Sequence, residues 1–314
     1  MAAAYRRYSN IGKKLAMQHL IAATVFGLAV FAEAVRADAD CTENWICINS
    51  VRGDDKIVLH AENLSDVPLT FTLKVNTRHL VSDNSSRITE TLAARESRPV
   101  TVLRRTDETQ KGKYWFSYDW TIGNKDAVHD EGTLYRLPYE IGKVYRVLQG
   151  FGSRFSHTGV EQYAVDFKMV EGTPVHAARA GVVARTVARH AVGCWNDGCG
   201  RYANYIVIVH DDETTGEYYH LQKNGVLVRE GDFVTAGQQI GFSGNTGNSA
   251  LPHLHFGVYR AIDRGREQSI PFRFLSADGI VERPRRGGLY EAAPLDEHSR
   301  RASLDGAAHT SSVQ

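Results

Sequence analysis

Ser243-Gly-Asn-Thr-Gly-Asn-Ser-Ala-Leu-Pro-His-Leu-His-Phe256 is the stretch on which the reading of this chain turns. A turn rich in Gly and Asn leads into His253 and His255, spaced i, i+2. Successive side chains of a strand point to opposite faces, so both imidazoles project one way while Leu254 turns back into apolar packing. Two imidazoles then face one pocket, and neutral imidazole is the commonest zinc ligand.

A zinc site draws on about three or four ligands, and two upstream segments supply candidates. Phe155-Ser-His-Thr-Gly-Val-Glu-Gln-Tyr-Ala-Val-Asp-Phe167 offers His157 and, after eight intervening residues, Asp166 in a short apolar strand pattern. Tyr218-Tyr-His-Leu221 offers His220 directly after a β-rich run. With 13 histidines in the chain, any one beside a strand is more often structural than ligating. The arrangement carries the weight: four histidines and a carboxylate in three segments, each on or beside a predicted strand.

The surrounding pattern is all-β. Lys56 to His60, Leu69 to Val75, Arg98 to Leu103 and Tyr114 to Trp120 alternate as strands between turn clusters, which predicts an N-terminal antiparallel β-sandwich, immunoglobulin-like in outline. The aromatic strand with Trp115, Tyr118 and Trp120 reads as core, with glycan binding as the alternative. Beyond Leu137-Pro138, strands at Val182 to Ala188, Tyr202 to His210, Glu217 to Leu221 and His253 to Arg260 predict a compact antiparallel C-terminal β domain. The expected organisation is a signal peptide over 1–38, the sandwich over 39–136, the second β domain over 137–280, and a polar, disordered tail over 281–314.

Gly150-Phe-Gly-Ser-Arg-Phe-Ser-His157, Tyr163-Ala-Val-Asp-Phe167, Tyr219-His-Leu221, Val234-Thr-Ala-Gly-Gln-Gln-Ile-Gly241 and the Ser243 to Phe256 segment together resemble the lysostaphin-like (LytM-type) zinc metallopeptidases, which cut peptide crosslinks in bacterial cell walls. The resemblance covers roughly Tyr139 to Phe274. It implies Zn²⁺ held by His157, Asp166 and His255, with His220 and His253 as unligated active-site histidines. The family's familiar pattern places three residues between its first histidine and aspartate, so here a longer loop must return both groups to one metal. Two histidines and one aspartate leave an open position for water, as a catalytic rather than a closed structural site requires. The loop Gly241 to Gly247 and the insert His190 to Arg201 are expected to wall a groove for an extended peptide, the stem peptide of peptidoglycan.

Arg6, Arg7, Lys13 and Lys14 followed by the apolar run Leu20 to Ala32 read as a secretory leader, too short for a span of about 20 residues, with an uncleaved anchor as the alternative. No stable membrane insertion is expected after its removal, and the mature protein is placed in the periplasm or outside the cell. The four cysteines form two close pairs, Cys41 with Cys47 and Cys194 with Cys199, and read as disulfides of an exported chain rather than a zinc knuckle. A net charge of +1 argues against a nucleic-acid partner. The cluster Arg283, Arg285 and Arg286 reads as a solvated segment, with contact to anionic wall polymer as the alternative. Two rival functions remain: a non-catalytic activator of wall amidases, against which the retained histidines count, and an exported zinc protease acting on proteins. The sandwich is read as a positioning or gating module, and a gate would call for a regulatory protein partner.

Overall fold

A computed structural model describes residues 38–107 and 109–295. The expected leader, apart from Asp38, and the chain from 296 onward lie outside the described residues.

Alternation builds the N-terminal unit. In the strand Leu69–Arg78, Leu69, Phe71, Leu73 and Val75 are buried on one face. On the other, Thr70 and Thr72 meet the hydroxyls of Thr91 and Thr89, each at 2.9 Å. This strand lies between Arg87–Leu92 and Lys113–Ile122, antiparallel to both. A second antiparallel sheet is ordered Asp38–Thr42, Ile46–Arg52, Lys56–Asn63, Ser97–Arg105, Leu80–Ser82. Ile46, Ile48, Leu59 and Leu103 of that sheet pack with Phe71 and Leu73 of the first, which makes the expected sandwich. Cys41 and Cys47 are directly opposed in its first hairpin and joined by a disulfide. The aromatic strand divides: Tyr118 is buried and Trp120 stacks on Trp45 at 5.0 Å, whereas Trp115 is 56% exposed.

The C-terminal unit is built on a longer antiparallel sheet. Its order is Phe233–Val234, Gly181–Val187, Tyr205–Val209, Thr215–Tyr219, Leu254–Ala261, Val165–Phe167, Val144–Gln149, Leu289–Glu291. Val183, Ile206, Ile208, Tyr218, Phe256 and Phe167 face its own apolar core. No α-helix occurs among the described residues, only the 3₁₀ turns Gly159–Glu161 and Cys199–Tyr202. No helix of these residues is long and apolar enough to cross a membrane.

Two features differ from the outline read off the sequence. The opposite face of the long sheet presents Ala184, Val187, Tyr205, Val207 and Val209, and these belong to the same buried cluster as the sandwich. The N-terminal unit is therefore packed onto the second sheet through a shared core. Residues 281–295, read as the start of a polar tail, supply the edge strand Leu289–Glu291 and buried Ala292. Backbone bonds hold this segment in place: Val147 N–H donates to Gly288 O at 2.9 Å and Gly287 N–H to Val147 O at 2.8 Å. Such pairing leaves no apolar signature in sequence.

Removing the sandwich would bare Tyr205, Val207, Val209, Ala184 and Val187 as one apolar patch, and patches of this kind drive association. A fragment starting at residue 134 is expected to bind a hydrophobic dye and to aggregate in light scattering. A monodisperse fragment with the Tm of the full chain would contradict the shared core.

Candidate metal centre

One row of the long sheet assembles most of the site. Tyr205 opposes Tyr219, Tyr219 opposes His255, His255 opposes Asp166, and Asp166 opposes Gln149. Directly opposed residues share a face, so the five side chains point away from the apolar core. Asp166 Oδ1 lies 2.9 Å from His255 Nδ1 and 3.1 Å from His157 Nε2. His253, two residues before His255, brings its Nε2 to 3.8 Å from the same oxygen. His220 follows the strand Thr215–Tyr219 at a chain reversal with φ 66°. Its ring centroid is 4.6 Å from that of His253 and 5.9 Å from that of His255. All five residues singled out in the sequence thus converge.

The second nitrogen of each imidazole is engaged, which selects the tautomer. His157 Nδ1–H faces Gly150 O at 3.3 Å, leaving Nε2 for a cation. His255 donates from Nε2 to Tyr259 Oη at 3.1 Å, and that hydroxyl donates to Glu161 at 2.6 Å, leaving Nδ1 free. His220 Nδ1–H donates to Thr246 O at 2.7 Å, and His253 Nδ1–H to Leu251 O at 2.8 Å. Their Nε2 atoms remain available. Asp166 Oδ2 accepts from Gln149 Nε2 at 2.7 Å, leaving Oδ1 to the histidines.

The electrostatics match a cation site. Burial opposes charge on Asp166, but the His157 and His255 hydrogen bonds hold its carboxyl well below the usual range. Burial likewise opposes charge on His255, yet Asp166 and Glu161 lift it to about 9. Two buried carboxylates therefore draw positive charge onto His255. His157 Nε2, Asp166 Oδ1 and His255 Nδ1 would each turn a lone pair to a cation that displaced the protons held between them, and one ligand atom from each of the three residues lies within 4.8 Å of the others. This buried His, Asp, His set fits a metal ion. Burial, followed by the neighbouring His253 and His255, pushes His220 well down and keeps it neutral.

The cluster forms the floor of a groove of about 780 Å³. Phe155 and Trp195 stack at 5.1 Å over its mouth, and the Cys194–Cys199 disulfide closes the loop that carries Trp195. The same wall continues through Asn248, Ala250 and Leu251, because Gly247–Asn248 pairs with Gly193–Cys194, and it lies just past the loop 241–247 that was expected there. Gln239–Ser243 is instead a strand paired with Pro174–His176 and with Leu221–Val226. Gly247 belongs to the support: at φ 80°, a Cβ there would meet Ala203 at 2.6 Å. No sandwich residue lines the groove among the described residues.

Sequence reasoning missed Glu161, Tyr259, Gln149 and Thr246. Tyr259 sits four residues past His255 on one strand, and that period places it on the same face. Glu161 comes from the long spacing between His157 and Asp166, which folds as the 3₁₀ turn Gly159–Glu161. His210 is structural: it is buried, bonded to Ala180 O, and pushed down to about 4 by desolvation.

A buried histidine and carboxylate set on the open face of an antiparallel sheet fits a metal centre. Residues 160–269 match Peptidase family M23, so this domain is of the lysostaphin-like (LytM-type) kind. Peptidoglycan DD-endopeptidase ShyA of Vibrio cholerae serotype O1 is 37% identical over 132 residues, 41% of this chain and 27% of that protein. Lysostaphin of Staphylococcus simulans is 43% identical over 99 residues, 31% of this chain and 18% of that protein. The alignments thus span under a third of either relative. Among solved structures, the lysostaphin catalytic domain from Staphylococcus simulans aligns at 30% identity over 40% of this chain and 87% of that one, with a TM-score of 0.29.

Two outcomes are expected. Tyr259→Phe removes the acceptor for His255 Nε2–H, and loss of such outer support lowers metal affinity by about 10- to 100-fold. Competition with a zinc chelator measures it, and unchanged affinity would show that the hydroxyl does not support His255. Where the sandwich meets the sheet, burial raises Glu217 from its ordinary 4.5 to about 7, and burial with the Glu217 charge raises Glu267. A carboxyl with a raised folded pKa binds an extra proton in the native state. Its favourable contribution is complete below about 4.5 and is lost as pH rises through about 7. Glu217→Gln is expected to raise Tm by a few degrees at pH 8 and to leave it nearly unchanged at pH 4, read by thermal denaturation.

Proposed function

We propose that this protein is an exported zinc endopeptidase that hydrolyses peptide crosslinks of bacterial peptidoglycan. The observation that carries this reading is the convergence of His157 Nε2, Asp166 Oδ1 and His255 Nδ1, each with its second polar atom engaged, beneath an open groove. Zinc held there would polarise a carbonyl and lower the pKa of water toward about 7. His157, Asp166 and His255 are the ligands in this reading, and Gln149, Tyr259 and Glu161 fix their orientation.

The remaining work falls to His220 and His253. Each has its Nδ1–H committed to a backbone carbonyl, so Nε2 faces the groove as a proton acceptor and, once protonated, as a donor. Together they take the proton of the attacking water and steady the oxyanion of the tetrahedral species. Thr246 holds the His220 ring and the residue that follows it: Thr246 O accepts from His220 Nδ1, and Thr246 Oγ1 donates to Leu221 O at 2.7 Å. Peptidoglycan as substrate is supported by the names of the relatives, a DD-endopeptidase and lysostaphin. Export rests on the leader-like segment 1–38 and the two disulfides.

The test is mass spectrometry of muropeptides released from sacculi by the zinc-loaded protein, beside a folded protein substrate. Crosslinked fragments cut at the peptide are expected, with none from a His255→Ala control that fails to retain zinc. Digestion of the protein substrate alone would replace this reading with a secreted protease, and inertness toward both with a non-catalytic regulator. His220→Ala is expected to retain zinc while turnover falls by about 10²- to 10⁴-fold, and normal turnover would remove it from the chemistry.

A further inference from the structure

We infer that the groove selects peptide crosslinks that bear a free carboxylate beside the scissile amide, through a basic wall formed by Arg146, Arg154 and Arg286. The inference rests on the endopeptidase reading for its reaction and deepens it to a substrate class.

Three arginines line the groove that holds the histidine cluster, and its one acidic lining residue is Asp166, already engaged by His157 and His255. All three arginines are exposed, and none has an ion-pair partner among the described residues. Several arginines elsewhere are paired, Arg179 against Asp211 and Asp212, Arg98 against Glu90 and Glu96, and Arg266 against Asp263, whereas no carboxylate neutralises these three. With a net charge of only +1, a concentration of three unpaired guanidinium groups at one groove is a local property of the site.

The wall is built. Arg146 lies on Val144–Gln149, next to the strand of Asp166. The segment carrying Arg286 is docked on that strand by the Val147 to Gly288 and Gly287 to Val147 backbone bonds, with Phe151 N–H on Pro284 O at 3.3 Å. The loop carrying Arg154 is fixed by Gln149, which donates to Ser156 Oγ at 2.8 Å and accepts from Ser156 N–H at 3.2 Å. Gln149 also donates to Asp166, so one side chain ties the loop to the ligand set.

Guanidinium groups present paired donors that match a carboxylate. A bridge of uncharged residues offers nothing to such a wall, whereas a crosslink carrying a carboxylate on the residue next to the cut amide offers an anion to it. Exposed pairs of this kind each change an equilibrium by up to about fivefold, and salt screens them.

The test uses two crosslinked peptides that differ only in whether the carboxylate beside the scissile bond is free or amidated. For the intact protein, kcat/KM is expected to be higher for the free acid at low salt by up to about tenfold, two such pairs acting together, with the gap narrowing at high salt. In the triple variant Arg146→Gln, Arg154→Gln, Arg286→Gln the ratio of the two values is expected to collapse toward one, with zinc content unchanged. Equal rates for the intact protein, or an undiminished ratio in the triple variant, would overturn the basic wall. Calorimetric binding of the matched uncrosslinked peptides to the full chain is read without turnover. Preference for the free acid in a protein that cleaves neither crosslink would keep the wall and sink the endopeptidase reading, while equal affinity would sink the wall itself.

Discussion

The pairing of Asp166 with His255 across two neighbouring strands is the constraint from which the site follows. The two residues are directly opposed, and their polar atoms meet at 2.9 Å. Slipping either strand by one residue would send its polar side chain into the core and bring an apolar one out. Val165 and Phe167 on one strand and Leu254 and Phe256 on the other are fully buried, so apolar packing locks the register that presents the donors. A buried carboxylate is tolerable only when paired. Here the pairing comes from imidazole N–H groups, and a cation would take the place of the protons on those nitrogens.

The histidines were legible because alternation along a strand is a local property. His253, Leu254 and His255 state their facing directly, and Asp166 does the same between Val165 and Phe167. Packing partners are not local, and this is where the reading ran out. Glu161 looked like part of an overlong spacer until the chain was seen to turn through Gly159–Glu161 and deliver its carboxylate to Tyr259. The strand Leu289–Glu291 sits in a segment of arginines and glycines, and backbone bonds hold it without help from hydropathy. The fold class could be read, since the sandwich rests on alternating runs such as Leu69–Arg78 and the long sheet on short β-rich runs such as Tyr205–Val209. That the sandwich and the second sheet share a core could not, because Tyr205, Val207 and Val209 look alike whether they are covered by their own domain or by another.

That shared core explains the carboxyls at the seam. Arg264 N–H donates to Thr72 Oγ1 at 2.7 Å, and Thr121 Oγ1 donates to Glu267 at 3.4 Å, so the sandwich lies directly on the hairpin that carries Glu267. Covering this face removes water from Glu217 and Glu267, and two desolvated acids in one enclosure favour the neutral form. Glu161 stays ionised nearby, against its own burial, because the His255 ring lies 3.7 Å away and Tyr259 donates to it. Three acids gathered over one sheet face thus differ in charge by what each one touches.

The same face is divided along the strand order. At one side, Gly181–Val187 and Tyr205–Val209 are capped by the sandwich. In the middle, Thr215–Tyr219, Leu254–Ala261 and Val165–Phe167 support the histidine cluster. At the other side, Val144–Gln149 and its docked segment are left open and carry arginines. The groove is confined to the middle and the open side, because the sandwich occupies the rest. Its walls are therefore unequal in chemistry, with aromatic rings and Leu251 over the mouth and guanidinium groups along the open edge. A ligand lying over the cluster meets an asymmetric field, and that asymmetry follows from which strands the N-terminal unit covers.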